Sequence, residues 1–189
     1  MKKLLTLLSL LFAATASAQS MREVLPTIPD SLCRLLTRNN LLDFPDYLDT
    51  QMKAEVRNRL GGNSEMKTLT DDYTLIQVSE SSTLQFKLLP TSKSKLILAA
   101  HTYFLNDSIA DSKLSIYDLS WKQLPTEKYL KLTAQPNTVV QAVLSSSTTD
   151  LQLRSAKPFQ LSPASDEPAP APTPTTATYH WNGKVFKNK

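Results

Sequence analysis

Few side chains in this chain of 189 residues could do chemistry, and they are scattered. The histidines are His101 and His180, and the single cysteine is Cys33. A zinc site needs three or four clustered nitrogen, sulfur or oxygen ligands, and no H-x-x-x-H or C-x-x-C spacing occurs. There is no G-x-S-x-G turn, and three glycines are too few for a phosphate-cradling loop. The sequence therefore predicts no catalytic residue, no metal site and no cofactor site.

Two pairs of carboxylates remain as candidates for acid–base chemistry. Asp71 and Asp72 are adjacent, and Asp107 and Asp111 lie four residues apart. A structural alternative exists for each pair, because the first begins a strand and the second lies in a solvated turn. Neither belongs to a calcium loop, which needs alternating Asp or Asn residues around a central Gly. A Ser–His–Asp triad assembles from distant residues, so the spacing of the sequence leaves it open.

The single cysteine is predicted to be structural. Cys33 has Leu32 beside it and Leu36 one turn later, and no histidine lies near it in sequence. These neighbours favour a small buried hydrophobic residue, with a reactive thiol as the alternative. Because one cysteine cannot form an internal disulfide, the chain has to fold on its hydrophobic core.

The first 18 residues have the order of a cleavable signal peptide. Lys2 and Lys3 precede an apolar run from Leu4 to Ala14, shorter than the roughly 20 residues that span a bilayer. Ala16-Ser17-Ala18 supplies the small residues of a cleavage site. The residue after this site is Gln19, and a lipoprotein needs a cysteine there to carry the lipid. We therefore expect a periplasmic or extracellular protein that begins near Gln19 after Ala18, is not a lipoprotein and has no transmembrane segment.

The charge of the chain argues against nucleic acid as a partner. Cleavage removes Lys2 and Lys3, so the formal net charge falls from +4 to +2. The remaining basic residues are scattered along the chain, without the clustered patch that binds a phosphate backbone. We expect no binding to nucleic acid.

Two helices are predicted at the N-terminal end of the mature chain. Asp30 caps a short helix that Asn39-Asn40 ends. Asp43 caps a second helix, with Pro45 in its first turn, where the missing N–H costs little. Gly61-Gly62 ends this second helix, which gives Gly61 a structural role. Its apolar residues recur every fourth position, at Phe44, Leu48, Met52, Val56 and Leu60.

After the glycines, the apolar period changes from helical to two. Four strand-like runs follow, at Tyr73 to Val78, Leu84 to Leu88, Leu96 to Ala100 and Leu114 to Trp121. The links between them are short and polar, whereas parallel strands need crossovers of a dozen or more residues. The sequence therefore predicts an α+β fold, with two N-terminal helices packed on a four-stranded antiparallel β-meander.

A further C-terminal β-hairpin region is predicted after the meander. Thr138 to Leu144 and Asp150 to Arg154 form one hairpin, and the Pro-rich stretch at 162–176 forms an extended loop. We divide the chain into the signal peptide at 1–18, the helices and meander at 19–126, and a C-terminal β subdomain at 127–189.

The last hairpin turns at Asn182-Gly183, because both residues accept positive φ. A two-residue turn pairs Tyr179 with Phe186 and brings the Trp181 ring close to the core. Asn182, Gly183 and Trp181 therefore receive structural roles.

Several segments together resemble one known family. They are Ile28 to Leu32, Met52 to Val56, Arg59 to Gly62, Leu69 to Tyr73, Lys87 to Pro90, Tyr117-Asp118 before Trp121, and Tyr179 to Gly183. The chain is similar along these segments to an uncharacterised secreted family of Gram-negative gut and oral anaerobes, the domain of unknown function 3256. This resemblance implies a periplasmic or cell-surface location and carries over no activity.

The resemblance also bears on one candidate modification site. Asp107-Ser108-Ile109 matches a short O-glycosylation acceptor motif of such bacteria, and Ser108 lies in a predicted exposed loop. Asp30-Ser31-Leu32 matches the same loose motif outside any such loop.

The absence of a chemical constellation favours a non-catalytic secreted binding or accessory protein of the cell envelope. Its partner would be an envelope protein, a glycan or a small apolar ligand. The alternatives are a carboxylate-dependent hydrolase of the periplasm or cell surface, and a purely structural protein.

Overall fold

The computed structural model describes residues 19–106, 109–131, 139–156 and 175–189. The predicted signal peptide, Ser108 and the Pro-rich stretch up to residue 174 lie outside the described residues. Within these ranges, no helix is both long enough and apolar enough to cross a membrane.

Among the described residues, the larger of two antiparallel sheets has seven strands, whose spatial order follows their order in the chain. They are β1 (Glu55–Arg57), β2 (Asn63–Leu69), β3 (Tyr73–Ser79), β4 (Ser82–Pro90), β5 (Lys95–Asn106), β6 (Ile109–Tyr117) and β7 (Gln123–Leu124). The predicted antiparallel meander is confirmed, and its four predicted runs correspond to β3–β6. The count of four is wrong, because β1, β2 and β7 extend the sheet at both edges. The fourth run ends at Tyr117, since Asp118 then accepts hydrogen bonds from the backbone of Ser120 and Lys122 and forms a turn.

The second sheet has four strands in the spatial order β11-β10-β9-β8. They are β8 (Val139–Leu144), β9 (Asp150–Ala156), β10 (Thr175–Trp181) and β11 (Phe186–Asn188). The predicted hairpin before the Pro-rich stretch is confirmed as β8 and β9, which pair antiparallel. The predicted loop extends too far at its end, because Thr175 and Thr176 already pair with β9.

The last hairpin has a different turn from the one predicted. Trp181 lies opposite Phe186, so the loop is four residues long and the predicted pairing of Tyr179 with Phe186 is wrong. Asn182 Oδ1 accepts hydrogen bonds from the N–H groups of Lys184 and Val185 at 3.0 and 2.9 Å, which stabilises the longer loop. Gly183 has φ +89° in this loop.

In the part of the chain that the structure describes, three helices accompany the sheets, namely α1 (Met21–Val24), α2 (Arg38–Asp49) and α3 (Thr126–Tyr129), with a 3-10 turn at Leu25–Thr27. Capping boxes begin the first two, formed by Ser20 with Glu23 and by Thr37 with Asn40. Met21 and Phe44 of these helices are buried in one apolar cluster with Phe86 and Ile97 of the larger sheet. We call the sheet face that carries Phe86 and Ile97 the first face.

The predicted helix boundaries are wrong. Residues 30–36 form turns, and Asn39-Asn40 lies at the beginning of α2 instead of ending a helix. Asp43 and Pro45 consequently lie inside α2. The helix ends at Asp49 because Gln51 takes φ +57° and the N–H groups of Gln51 and Met52 bond to Leu48 and Tyr47. A residue other than glycine forms this cap, so no stop signal was visible in the sequence.

Gly61 was assigned to the end of a helix but lies in the turn between β1 and β2. It has φ +79°, and Asn58 Oδ1 accepts hydrogen bonds from the N–H groups of Leu60 and Gly62. Helix ends and hairpin turns both use glycine at positive φ, so the pattern alone could not separate them.

The second sheet packs on the second face of the larger sheet, which is the face opposite to Phe86. Tyr73, Leu98 and Ile116 of that face form an apolar cluster with residues of the second sheet. Trp181 and Phe186 of the last hairpin belong to it, with ring centroids 5.2 Å apart. The two antiparallel sheets of the described chain therefore pack face to face through this cluster.

Candidate functional site

A cleft of about 420 Å³ opens on the first face of the larger sheet. One wall is the turn segment 31–35, and the floor is formed by β4, β5 and β6. We call it the β4–β6 cleft. Its volume lies within the range of about 300 to 1,000 Å³ that is usual for small-molecule sites.

The register of the sheet fixes which side chains share the floor. Leu84, His101 and Lys113 lie opposite one another on the three strands. Phe86, Ala99 and Ser115 form the next row towards the centre of the sheet. Partners in an antiparallel pair project to the same face. The outer row is therefore partly polar and the inner row is mainly apolar and buried.

The wall segment is held by the hairpin of β1 and β2. The N–H of Arg59 donates to the carbonyl of Leu35 at 2.9 Å. The guanidinium of Arg59 pairs with Asp30 at 3.2 Å. Two tight turns shape the segment itself, because Leu32 N–H bonds to Pro29 and Leu36 N–H bonds to Cys33. The wall is thus attached to the sheet through its backbone.

The described lining carries positive charge and no negative charge. Arg34 lies on the wall and Lys113 on the floor, and the lining includes no Asp or Glu. Both side chains belong to exposed residues. Neither makes an ion pair with a carboxylate in the part of the chain that the structure describes.

Two rings from β5 form a pair at the cleft. His101 and Tyr103 have centroids 4.1 Å apart, and the Tyr103 hydroxyl lies 2.9 Å from His101 Nδ1. Burial lowers the pKa of His101, and the charge of Lys113 lowers it further. The imidazole is therefore neutral at pH 7 and presents a flat polar ring. Tyr103 remains 50% exposed.

Cys33 lines the cleft from the wall, but the residue is buried, with 3% of its surface exposed. Burial raises the pKa of this thiol to about 12, although the backbone of Leu36 opposes the shift. A thiol with this pKa is almost wholly protonated at neutral pH, and the thiolate is the nucleophilic form. Its position therefore suits packing and not covalent chemistry.

The carboxylates that the sequence analysis considered lie away from the cleft. Asp72 pairs with the buried Lys87 at 2.8 Å, and Asp111 accepts a hydrogen bond from Val140 N–H at 3.1 Å. The backbone carbonyl of Asp71 accepts from Met21 N–H, and Asp107 lies outside the described residues. The two carboxylate pairs therefore form no acid–base pair in the described cleft.

The second histidine makes a hydrogen bond to a carboxylate on the second sheet. His180 Nδ1 lies 2.7 Å from Asp150, and Lys189 approaches the same carboxylate at 3.5 Å. The hydrogen bond from His180 is the largest cause that lowers the pKa of Asp150. No three His, Cys, Asp or Glu residues are grouped to hold a metal in the described ranges.

No motif in the sequence marked Arg34, Tyr103 or Lys113 as site residues. His101 and Tyr103 are two positions apart on a predicted strand, so the period of two already placed them on one face. Lys113 joins them only through the register of β5 and β6. The sequence pattern does not specify that register.

Comparisons with known proteins give a family and a fold. A model of the family described as Protein of unknown function (DUF3256) matches residues 13–157. No curated protein matches the chain. A solved structure described as a domain of an uncharacterized protein from Porphyromonas gingivalis W83 is similar, with a TM-score of 0.68 and 18% identity. The similarity covers 89% of this chain and 98% of that one, and at this identity it bears on the fold alone.

Proposed function

Because the chain belongs to the DUF3256 family, whose description assigns no activity, we propose its function from the β4–β6 cleft. The protein is a non-catalytic binding or accessory protein of the cell envelope, and the cleft holds a small ligand. The observation that carries this proposal is a cleft of about 420 Å³ whose described lining combines apolar, aromatic and cationic side chains without a carboxylate.

No observation favours the alternative of a carboxylate-dependent hydrolase. A general acid at neutral pH needs a carboxyl group whose pKa is raised. Among the described carboxylates, those of Glu65, Asp118 and Asp150 have a shifted pKa, and each is lowered. Hydrogen bonds from Lys67, Ser120 and His180 are the largest causes, and they stabilise the charged form.

The proposal places the protein in the periplasm or outside the cell after cleavage near Gln19. Support comes from the residues that follow the proposed cleavage site, because they belong to the fold. Lys95 Nζ donates to the carbonyl of Gln19 at 2.8 Å. Met21 is fully buried, and its N–H donates to Asp71 at 2.7 Å. Cleavage after Ala18 keeps all of these contacts.

A screen of small molecules with a blocked variant tests the binding proposal. Ligand-observed NMR would detect binding of a mixed library of aromatic, aliphatic and sugar compounds to the mature chain. Ser31→Trp places a large ring at the cleft, and Ser92→Trp places one in the exposed turn between β4 and β5. We expect compounds that bind the native chain and the Ser92→Trp variant but not the Ser31→Trp variant. Compounds that bind all three proteins alike, or none that bind, would contradict the proposal.

A further inference from the structure

We propose that the β4–β6 cleft binds an amphiphilic organic anion, with its acidic group between Arg34 and Lys113 and its apolar body over Leu84 and Phe86. This inference rests on the proposed binding function and adds the chemical class of the ligand.

The two cationic residues that line the cleft favour a ligand with an acidic group. Arg34 lines the cleft from the wall and Lys113 from the floor, so a ligand in the cleft meets a cation on each side. The described lining offers no carboxylate to neutralise them. A concave site with charges of one sign and apolar walls concentrates its field on the ligand. An acidic group there replaces the counterions that the two side chains hold in solvent.

The apolar floor of the cleft and the exposed ring of Tyr103 favour a ligand with an apolar body. Leu84, Phe86 and Ala99 are buried side chains that present an apolar floor. Tyr103 packs against His101 at the cleft, with ring centroids 4.1 Å apart, and remains 50% exposed. Exposed apolar side chains beside a concave site are typical of surfaces that a ligand covers. A flat or aliphatic body would lie against this floor and cover the exposed tyrosine ring.

Two dyes with the same aromatic body, one with an acidic group and one without, distinguish the contribution of the acidic group from that of the apolar body. 8-Anilinonaphthalene-1-sulfonate carries a sulfonate, and N-phenyl-1-naphthylamine lacks it. Titration of the folded mature chain, followed by dye fluorescence, should show binding of the sulfonate at least about tenfold tighter than the neutral dye, as expected for one charge-assisted contact. Circular dichroism of every variant checks that the fold is retained.

Charge-removing variants assign the effect to the two cations. Lys113→Gln and Arg34→Gln should each lower the affinity for the sulfonate dye by about fivefold to tenfold. The affinity for the neutral dye should stay unchanged. Lys93→Gln, in the exposed turn between β4 and β5, is the matched control and should change neither dye. Ser31→Trp should abolish binding, and Ser92→Trp should not.

The outcomes separate this inference from the proposed function. Equal affinity for both dyes, or an unchanged sulfonate affinity in both Lys113→Gln and Arg34→Gln, overturns the anionic ligand but leaves the cleft as a binding site. Sulfonate binding that survives Ser31→Trp places the dye elsewhere and overturns the inference. If neither dye binds and the fragment screen finds no compound that Ser31→Trp blocks, both proposals fail.

Discussion

The side chain of Gln85 on β4 accepts a hydrogen bond from the N–H of Leu144 on β8 at 3.0 Å. Its amide nitrogen donates to the carbonyl of Ala142 at 3.2 Å. One residue of the larger sheet thus satisfies two backbone groups at the outer edge of the second sheet. Ser112 accepts from Ala142 N–H at 2.8 Å and completes this contact. Side chains therefore occupy the positions that a further strand would take.

We expect Gln85→Ala to destabilise the protein by roughly 2 to 4 kcal/mol, because it leaves a buried donor and a buried acceptor unpaired. Chemical denaturation of the two proteins measures this difference. Gln123→Ala is the matched control, since Gln123 is exposed on β7 and should change stability by less than about 0.5 kcal/mol. A variant at Gln85 as stable as the control would mean that the two sheets are not joined in this way.

The C-terminal hairpin should be part of the fold and not a detachable tail. Trp181 Nε1 donates to the carbonyl of Pro90 at the end of β4 at 2.7 Å, and its ring lies in the core between the sheets. Trp181→Ala should cost about 3 to 5 kcal/mol through the lost packing, and Trp181→Phe about 1 kcal/mol through the lost hydrogen bond.

Thermal unfolding measures both variants at Trp181. Lys187→Ala on the exposed side of β11 is the control and should leave the midpoint nearly unchanged. Truncation after Thr176 should destabilise the chain at least as much as Trp181→Ala. A truncated chain with an unchanged midpoint would show that the hairpin contributes nothing to the fold.

The buried thiol of Cys33 gives the stability a dependence on alkaline pH. Burial raises its pKa from 9.0 to about 12, so the thiol ionises in the unfolded chain before it ionises in the folded one. The stability contribution is complete below pH 9 and is lost as the pH rises through 12. Between pH 8 and pH 10, the native chain should lose about 1 kcal/mol more than Cys33→Ala. Urea denaturation at both pH values measures the loss of stability. An equal loss in the native chain and in Cys33→Ala would indicate that the thiol is accessible to solvent.

The proposed secretion makes a prediction about the N-terminus. Protein purified from its native host should begin at Gln19 without a lipid, because Ala16-Ser17-Ala18 fits a signal-peptidase site and the residue after the site is Gln19, not a cysteine. Intact-mass spectrometry and N-terminal peptide mapping measure this. An uncleaved N-terminus, or an added lipid mass, would contradict the assignment.

The antiparallel meander could be predicted from the sequence, and the helices could not be placed. Strands β3–β6 follow from a period of two between short polar links, and these signals are local. The apolar stripe from Phe44 to Leu60 has a helical spacing, yet Gln51 ends the helix with a left-handed residue and Val56 pairs in β1. Such a cap from a residue other than glycine depends on tertiary packing, which overrides local propensity.

The candidate site was harder to predict than the fold. His101 and Cys33 were considered separately, and the cleft that both residues line forms only when segment 31–35 is fixed by Arg59 against the sheet. The contact joins residues 24 positions apart in the chain and follows from no local pattern. Lys113 enters the site through the pairing of β5 with β6. Sites built from several elements depend on register, and a sequence pattern fixes register weakly.

The central claim is that the β4–β6 cleft is a ligand site, and two-dimensional amide NMR tests it most directly. Labelled mature protein is titrated with 8-anilinonaphthalene-1-sulfonate, and the shifted amide signals are mapped onto the fold. We predict saturable shifts concentrated at Cys33, Arg34, His101 and Lys113, with the signals of Ser92 and His180 unchanged. Shifts centred on the second sheet or spread evenly over the chain would contradict the claim, as would an unchanged spectrum at saturating dye.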